Sequence, residues 1–257
     1  MARVRLDSLL AERGLFESRS RAAAAVMAGE VQVASRLASK PSQLVDASAD
    51  IVVAAAPAYV SRGGVKLSNA LDALRLSVVD RDALDVGAST GGFTDCLLQR
   101  GASRVIALDV AYGELDYRLR QDARVTVIER TNARSVDSLP FPPSLIVIDV
   151  SFISLTKVLP SVLALADEEF DCLAMVKPQF EVGRERVGKG GVVRDVSSRR
   201  EAVASVAGCG ESLGCSVLGF APSGLPGPKG NLETFVWLGP GSRAGLDWPA
   251  ALAEVAV

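Results

Sequence analysis

From the strand that ends at Leu84–Val86 onward one pattern repeats along the chain: a short run of branched aliphatic residues, a turn of small and polar ones, then a helix-length segment. The first run ends at Val86, and the next four span Val105–Leu108, Val125–Ile128, Leu145–Ile148 and Leu173–Val176. Continuous runs of this kind suit strands buried on both faces, and helix-length crossovers make such strands parallel. Two further runs, Ser216–Ala221 and Thr234–Leu238, are joined only by the Gly/Pro-rich connection Ser223–Leu232. That connection is too short for a parallel crossover, so an antiparallel final pair is expected. Before the first strand, Lys66 opens a helix with Leu67, Ala70, Leu71 and Leu74 on one apolar face.

The first quarter of the chain follows a different rhythm. Leu6, Leu9 and Leu10 recur at helical spacing until Gly14, and Ser18 or Ser20 can cap a second, alanine-rich helix that stops at Gly29. Glu30–Val33 and Ile51–Val53 read as short strands, with Pro41 in the connection. Ala54–Pro57 reads as a linker. Two domains are therefore expected, a small α+β module over 1–57 and an α/β domain over 58–257. With 257 residues, 49% of them hydrophobic, the chain can give both a core.

In a mostly parallel sheet ligands sit beyond the carboxyl ends of the strands, and Asp85, Asp109, Asn132, Asp149 and Lys177 all fall there. The turn after the first strand, Leu84-Asp85-Val86-Gly87-Ala88-Ser89-Thr90-Gly91-Gly92-Phe93-Thr94, is glycine-rich, which allows left-handed backbone and close approach of a ligand. It fails the dinucleotide fingerprint, because Ser89 stands where the second glycine belongs. It fails the P-loop pattern too, because Phe93 replaces the lysine that would meet a phosphate. What remains is a cradle, Gly87 to Phe93, for an uncharged or zwitterionic ligand. Asp85 and Asp109 are placed to accept hydrogen bonds from ribose hydroxyls, and Asn132 to pair with an adenine edge. S-adenosylmethionine fits these features. An ordinary strand-to-helix turn with a capping aspartate, and an asparagine as turn punctuation, would look the same locally.

Histidine is absent from the sequence, which removes Ser-His-Asp and Cys-His chemistry and histidine metal sites and leaves Lys, Asp, Glu or Tyr as general base. Cys96, Cys172, Cys209 and Cys215 lack metal-binding spacing and read as core residues in a reducing cytosol, so no metal and a cytoplasmic location are expected. Arg3, Arg5 and Asp7 occupy the place of a signal peptide's apolar region, and the longest charge-free run, Ser212–Pro228, is broken by glycines and prolines. No membrane partner is expected. Through Lys66 there are nine Lys/Arg against six Asp/Glu, and beyond it nineteen against twenty-four. Arg3, Arg5, Arg19, Arg21, Arg36 and Lys40 fall where two helix starts and a loop could offer cations and free N–H groups to phosphates, although a solvated face would carry the same charge.

Two sets of residues carry a resemblance. Val4-Arg5-Leu6-Asp7, Leu9-Leu10, Ser18-Arg19-Ser20-Arg21 and Gly29-Glu30-Val31 with Val33 resemble an S4-type RNA-binding domain. Lys66, Asp149, Lys177 and Glu233, each of which alone reads as half of a structural ion pair, together resemble the Lys-Asp-Lys-Glu tetrad of FtsJ-like ribose 2′-O-methyltransferases. Joined, they resemble the TlyA family of ribosomal RNA 2′-O-methyltransferases, as do Val60-Ser61-Arg62-Gly63-Gly64, Glu129 to Arg134 and Asp149 to Ser154.

The resemblance implies a class I, Rossmann-like S-adenosylmethionine-dependent methyltransferase fold with an S4-like domain before it. It implies methyl transfer to a ribose 2′-hydroxyl, of a cytidine, in small- or large-subunit ribosomal RNA, with ribosomal RNA or ribosomal subunits as partners and Arg62 among the RNA contacts. Lys177 would be the base, available as a neutral amine beside a cationic methyl donor and a second lysine, with Asp149 orienting it and Lys66 and Glu233 holding the hydroxyl. Val150-Ser151-Phe152 departs from the alanine–proline commoner after that aspartate, which bears on substrate seating. The family also carries the name haemolysin, so a haemolysin-like protein and a non-catalytic ribosome-associated RNA-binding factor are the alternatives.

Overall fold

The computed structural model describes residues 3–27, 30–53 and 58–255, which form two compact units, Met1–Ala58 and Tyr59–Val257. The helix stop at Gly29 and the linker Ala54–Pro57 lie outside the described residues.

The first unit runs β1 (Arg3–Arg5), α1 (Leu6–Glu12), α2 (Arg19–Met27), β2 (Val31–Val33), β3 (Arg36–Leu37), β4 (Leu44–Asp46) and β5 (Ile51–Val53). Leu6, Leu9 and Leu10 of α1 bury against Ala22, Ala25 and Val26 of α2 and against Val31. Ser18 begins the second helix, its Oγ accepting from the Arg21 N–H at 3.2 Å. The strands form two small antiparallel sheets, β1 with β4 and β3-β2-β5. β1, β3 and β4 have only two or three residues each, too few for any periodicity to announce them.

The second unit runs α3 (Arg62–Leu74), β6 (Asp82–Val86), α4 (Gly92–Gln99), β7 (Arg104–Leu108), α5 (Tyr117–Arg120), β8 (Val125–Ile128), β9 (Leu145–Ile148), α6 (Leu159–Leu163), β10 (Asp171–Val176), α7 (Pro178–Glu181), α8 (Val196–Ser212), β11 (Cys215–Pro222), β12 (Thr234–Pro240) and α9 (Trp248–Glu254). Its seven strands lie in the order β11-β12-β10-β9-β6-β7-β8. β8 through β10 are parallel, and β12 inserts antiparallel between β10 and β11, as the short connection requires. Each strand feeds two cores. Leu145 and Val147 face α3 and α4, whereas Ile146 and Ile148 face α6 and α8, and all four are fully buried. That double burial is why the runs carry no polar alternation.

One helix begins earlier than its pattern suggests. α3 starts at Arg62, capped by Ser61, whose Oγ accepts from the Gly63 N–H at 3.3 Å, so Lys66 stands in the second turn on the buried face and does not open the helix. Gly63 and Gly64 hid the start. Gly64 is fixed by packing, since a Cβ there would lie 2.3 Å from Tyr59 Cγ. Among the described residues no helix is long and apolar enough to cross a membrane.

Chain order turns at β6, with β7 on one side and β9 on the other, and that switch point opens a crevice beyond the carboxyl ends of these strands. The start of α4 is pressed against α3 there: a Cβ on Gly92 would lie 2.1 Å from Ser61 Oγ and 2.9 Å from Gly64 N. Gly92→Ala should therefore destabilise the fold by more than about 1 kcal/mol in urea unfolding, against the helix preference of alanine. A stabilised variant would show that this contact yields freely.

Candidate active site

The turn from β6 to α4 has left-handed backbone at Gly87 (φ 85°), Ser89 (47°) and Gly91 (96°). The missing side chains make room for protein atoms. A Cβ on Gly87 would lie 2.5 Å from the Asp149 carbonyl oxygen, and one on Gly91 would lie 2.3 Å from Leu119 Cδ1. Glycine is needed for close packing of the turn on its neighbours, and a ligand is seated by the shape that results.

Asp109 fixes that shape from the end of β7. Its Oδ2 accepts from the Ser89 N–H and its Oδ1 from the Ala111 N–H, both at 2.7 Å. Each carboxylate oxygen keeps a lone pair that can accept from a ribose hydroxyl. Asp85 is placed differently from the sequence expectation. It is fully buried, Oδ2 accepts from Thr94 N–H (2.9 Å) and Oγ1–H (2.7 Å), and it lines neither of the two cavities that meet at this turn, so it supports the turn from beneath. Its Oδ1 is buried without a donor among the described residues. Burial pushes the Asp85 carboxyl up to about 7, with Asp149 and Asp109 adding repulsion and the Thr94 bonds opposing.

Two cavities meet at this turn. The first, about 480 Å³, is lined by Gly87, Ser89, Asp109, Val110, Asn132, Val150 and Ile153 among others, and is of the size that takes a nucleoside-like ligand. The Asn132 Oδ1 already accepts from the Arg134 N–H at 3.1 Å, which leaves its Nδ2 for a base edge. The second, about 670 Å³, brings Lys66, Asp149, Lys177 and Glu233 together with Arg62, Ala88, Thr90, Gly92 and Phe93. Gly87, Ser89, Asp149, Ser151 and Phe152 line both. Gly91 lines neither. The residues present fit S-adenosylmethionine, with a carboxylate for ribose, an amide for adenine and a wall shared with the second cavity.

The four tetrad residues stand as two ion pairs. Lys66 Nζ donates to Glu233 Oε2 at 2.5 Å, with both side chains under a tenth exposed. Lys177 Nζ pairs with Asp149 Oδ1 and donates a directed hydrogen bond to Ser151 Oγ at 3.0 Å. Ser151, part of the departure noted after Asp149, thus holds Lys177. Phe152 takes a left-handed backbone (φ 64°) that is unusual for a bulky residue, is 90% exposed, and lies 5.1 Å from the Phe180 ring. Gln179, on the same wall, has Oε1 buried with no donor among the described residues. These last contacts had no signal in the sequence beyond their position beside the motifs.

Two cations expected to meet RNA are used inside the first unit. Arg5 and Arg19 both pair with buried Asp7, at 2.7 and 3.1 Å, and hold its carboxyl well below the usual range, the Arg5 hydrogen bond most strongly. The start of α1 offers few free N–H groups either, since Leu6 and Asp7 donate to the Gln43 and Pro41 carbonyls. Arg3, Arg21, Arg36 and Lys40 are exposed and have no ion pair among the described residues. Met1–Ala58 holds seven basic against six acidic residues, because Arg62 and Lys66 belong to the second unit.

A mostly parallel seven-stranded sheet with a nucleoside-sized cavity at its switch point, opening on a lysine–carboxylate constellation, defines an S-adenosylmethionine-dependent methyltransferase. The chain belongs to the FtsJ-like methyltransferase family, whose model matches residues 59–240, and it carries an S4 domain over residues 4–51. It is 47% identical, over 92% of its length and 90% of the relative's, to the 16S/23S rRNA (cytidine-2′-O)-methyltransferase TlyA of Mycobacterium tuberculosis. It is 40% identical to a Brachyspira hyodysenteriae protein named hemolysin A, over 90% of this chain and 97% of that one. A solved structure from Streptococcus thermophilus that also goes under a hemolysin name matches with a TM-score of 0.76 and 39% identity, covering 99% of this chain and 94% of that chain.

The position of Asp85 gives a pH test. Its folded carboxyl titrates near 7 against an ordinary 3.8, so the folded state holds the proton more tightly than the unfolded chain. The resulting stability is present below about pH 4 and is lost as pH rises toward 7. Asp85→Asn, neutral throughout, should lose less stability than the parent chain between these limits in urea unfolding. Parallel pH profiles would place the Asp85 carboxyl at its ordinary value.

Proposed function

We propose that this methyltransferase acts on a ribose 2′-hydroxyl of ribosomal RNA, at a cytidine, with RNA or an assembled ribosomal subunit as the bound substrate. The observation that carries the reading is the pairing of Lys177, which lines the larger cavity, with Asp149 and Ser151, which line both cavities. The name of the Mycobacterium tuberculosis relative supplies the cytidine and the ribose position.

S-adenosylmethionine, when bound, supplies an electrophilic methyl group. The rest is done by side chains. Displacement at that methyl needs an oxygen that is close, aligned and relieved of its proton. Lys177 accepts the proton from the 2′-hydroxyl, and the ammonium that forms is held by the Asp149 carboxylate and Ser151 Oγ. Lys66, fixed by Glu233 in the same cavity, donates to the same oxygen and keeps it in line. The exposed Phe152 ring beside Phe180 offers a stacking face for a base turned out of the RNA, which would bring its ribose to the lysines.

Lys177→Arg keeps the charge but cannot deprotonate at useful pH. Turnover should fall by roughly a hundredfold or more, the usual contribution of a general base, while calorimetry shows unchanged cofactor affinity. RNA with a 2′-deoxyribose at the target should bind and accept no methyl group; methylation of that substrate would refute the ribose mechanism. In the first unit, Arg21→Ala with Lys40→Ala should weaken RNA binding and leave cofactor affinity alone. Equal RNA affinity in parent and variant would assign these two cations to solvation only.

A further inference from the structure

Between α7 and α8 lies Gly183–Arg194, twelve residues with four cations and one acid. The unit that contains it has twenty-one basic against twenty-four acidic residues, so this segment is a local reversal of charge. Arg186 is paired with Glu201. Arg184, Lys189 and Arg194 are exposed and have no ion pair among the described residues, and the same holds for Lys229. Lys229 lies across Gly191, where an added Cβ would sit 3.5 Å from its Cδ and 3.7 Å from its Nζ. Val187, Gly191 and Lys229 line the 670 Å³ cavity that holds the tetrad, so Lys229 stands at its rim and the segment carrying the other cations borders it.

The segment is fixed in place. Gly188 and Val192 form a β-bridge, with left-handed glycines at 190 and 191 between them. Asn231, 2% exposed, binds it from the other side: its Oδ1 accepts from the Val193 N–H at 2.9 Å, and its Nδ2 donates to the Gly191 carbonyl at 2.8 Å. The Asn231 carbonyl in turn accepts from the Gly227 N–H at 2.8 Å, and Gly227 packs on Glu233, where a Cβ would lie 2.5 Å from Oε1. Arg62 Nη2 donates to the Pro226 carbonyl of the same loop at 2.5 Å. One buried amide therefore connects the cationic segment to the loop around Glu233, and through Glu233 to Lys66. A fully buried amide is costly unless its polar atoms are satisfied, and here the satisfying bonds are the ones that set this register.

We propose that Gly183–Arg194 and Lys229 form a phosphate-binding strap for the RNA strand that adjoins the target nucleotide, with Asn231 as the positioning residue that registers the strap against Lys66 and Glu233. The proposal rests on the RNA reading above and extends it. Cations and backbone at the rim hold phosphates, which carry no sequence information but fix where the ribose enters. A strand gripped there is delivered to the lysines in one register, independently of the S4 domain.

The test uses the full chain and a ribosomal RNA fragment, with binding measured by fluorescence anisotropy over a range of salt and methylation of the same fragment assayed alongside. Lys189→Ala with Lys229→Ala alters two exposed side chains and should lower RNA affinity on the order of tenfold at low salt. The slope of log affinity against log salt should become shallower by about two. Cofactor affinity by calorimetry should not change. Asn231→Ala alone should also flatten the slope, and adding it to the double variant should flatten it no further, which simple destabilisation would not produce. Parent-like affinity and slope in the double variant would overturn the strap. Salt-dependent binding that these substitutions weaken, with no 2′-O-methylation by the parent chain, would instead overturn the functional reading and leave the strap standing.

Discussion

The close approach of β6 and β9 at the switch point is the contact on which the site depends. Asp149 donates its N–H to the Val86 carbonyl at 2.9 Å, and Gly87 has no Cβ because the Asp149 carbonyl oxygen occupies that position. A side chain there would part the strands, and with them the two cavities. Since Gly87, Ser89 and Asp149 line both, the seat for a methyl donor and the seat for its acceptor share a wall built from backbone. Proximity of the reactants is thus set by strand pairing, a stiffer determinant than any side-chain rotamer.

Charge is distributed around that wall in opposite-sign pairs, and the pairs differ in kind. Lys66 and Glu233 are nearly removed from water, where mutual attraction roughly balances the cost of desolvation, so the pair adds little net stability while loss of either partner would strand a buried charge. Lys177 and Asp149 remain accessible from the cavity. The buried pair suits a fixed anchor, and the accessible pair suits proton exchange with a substrate. Asp85 stands apart as a carboxyl without a cation, and burial drives it toward the neutral form.

The α/β domain was legible because its strands are buried on both faces, which leaves unbroken apolar runs such as Leu145–Ile148. The antiparallel end was legible from the length of one connection. Short strands such as Arg3–Arg5 and Leu44–Asp46 were not, since hydrogen bonding to a distant partner and not periodicity defines them. In the site, residue types and positions were readable, but the pairing was not: Lys66 and Glu233 are 167 residues apart, and only the sheet brings them together. Asn231 was invisible for the same reason, its partners lying 38 and 40 residues away. Arg5 and Arg19 show the converse case, because a count of cations cannot reveal that both pair with one buried aspartate.

That pairing bears on how the two units divide the work. With Asp7 occupying Arg5 and Arg19 and loop carbonyls occupying the first N–H groups of α1, the S4 unit retains a sparse set of free cations on a rigid frame. On the proposed reading, such charges would fix the register of the phosphates while carrying no sequence information. The catalytic unit, acidic in total, would repel RNA were its own cations spread evenly. Four of its twenty-one basic residues fall between Gly183 and Arg194, beside the tetrad cavity, so on the proposed reading a net-negative surface would discourage misplaced contacts while one edge attracts the strand.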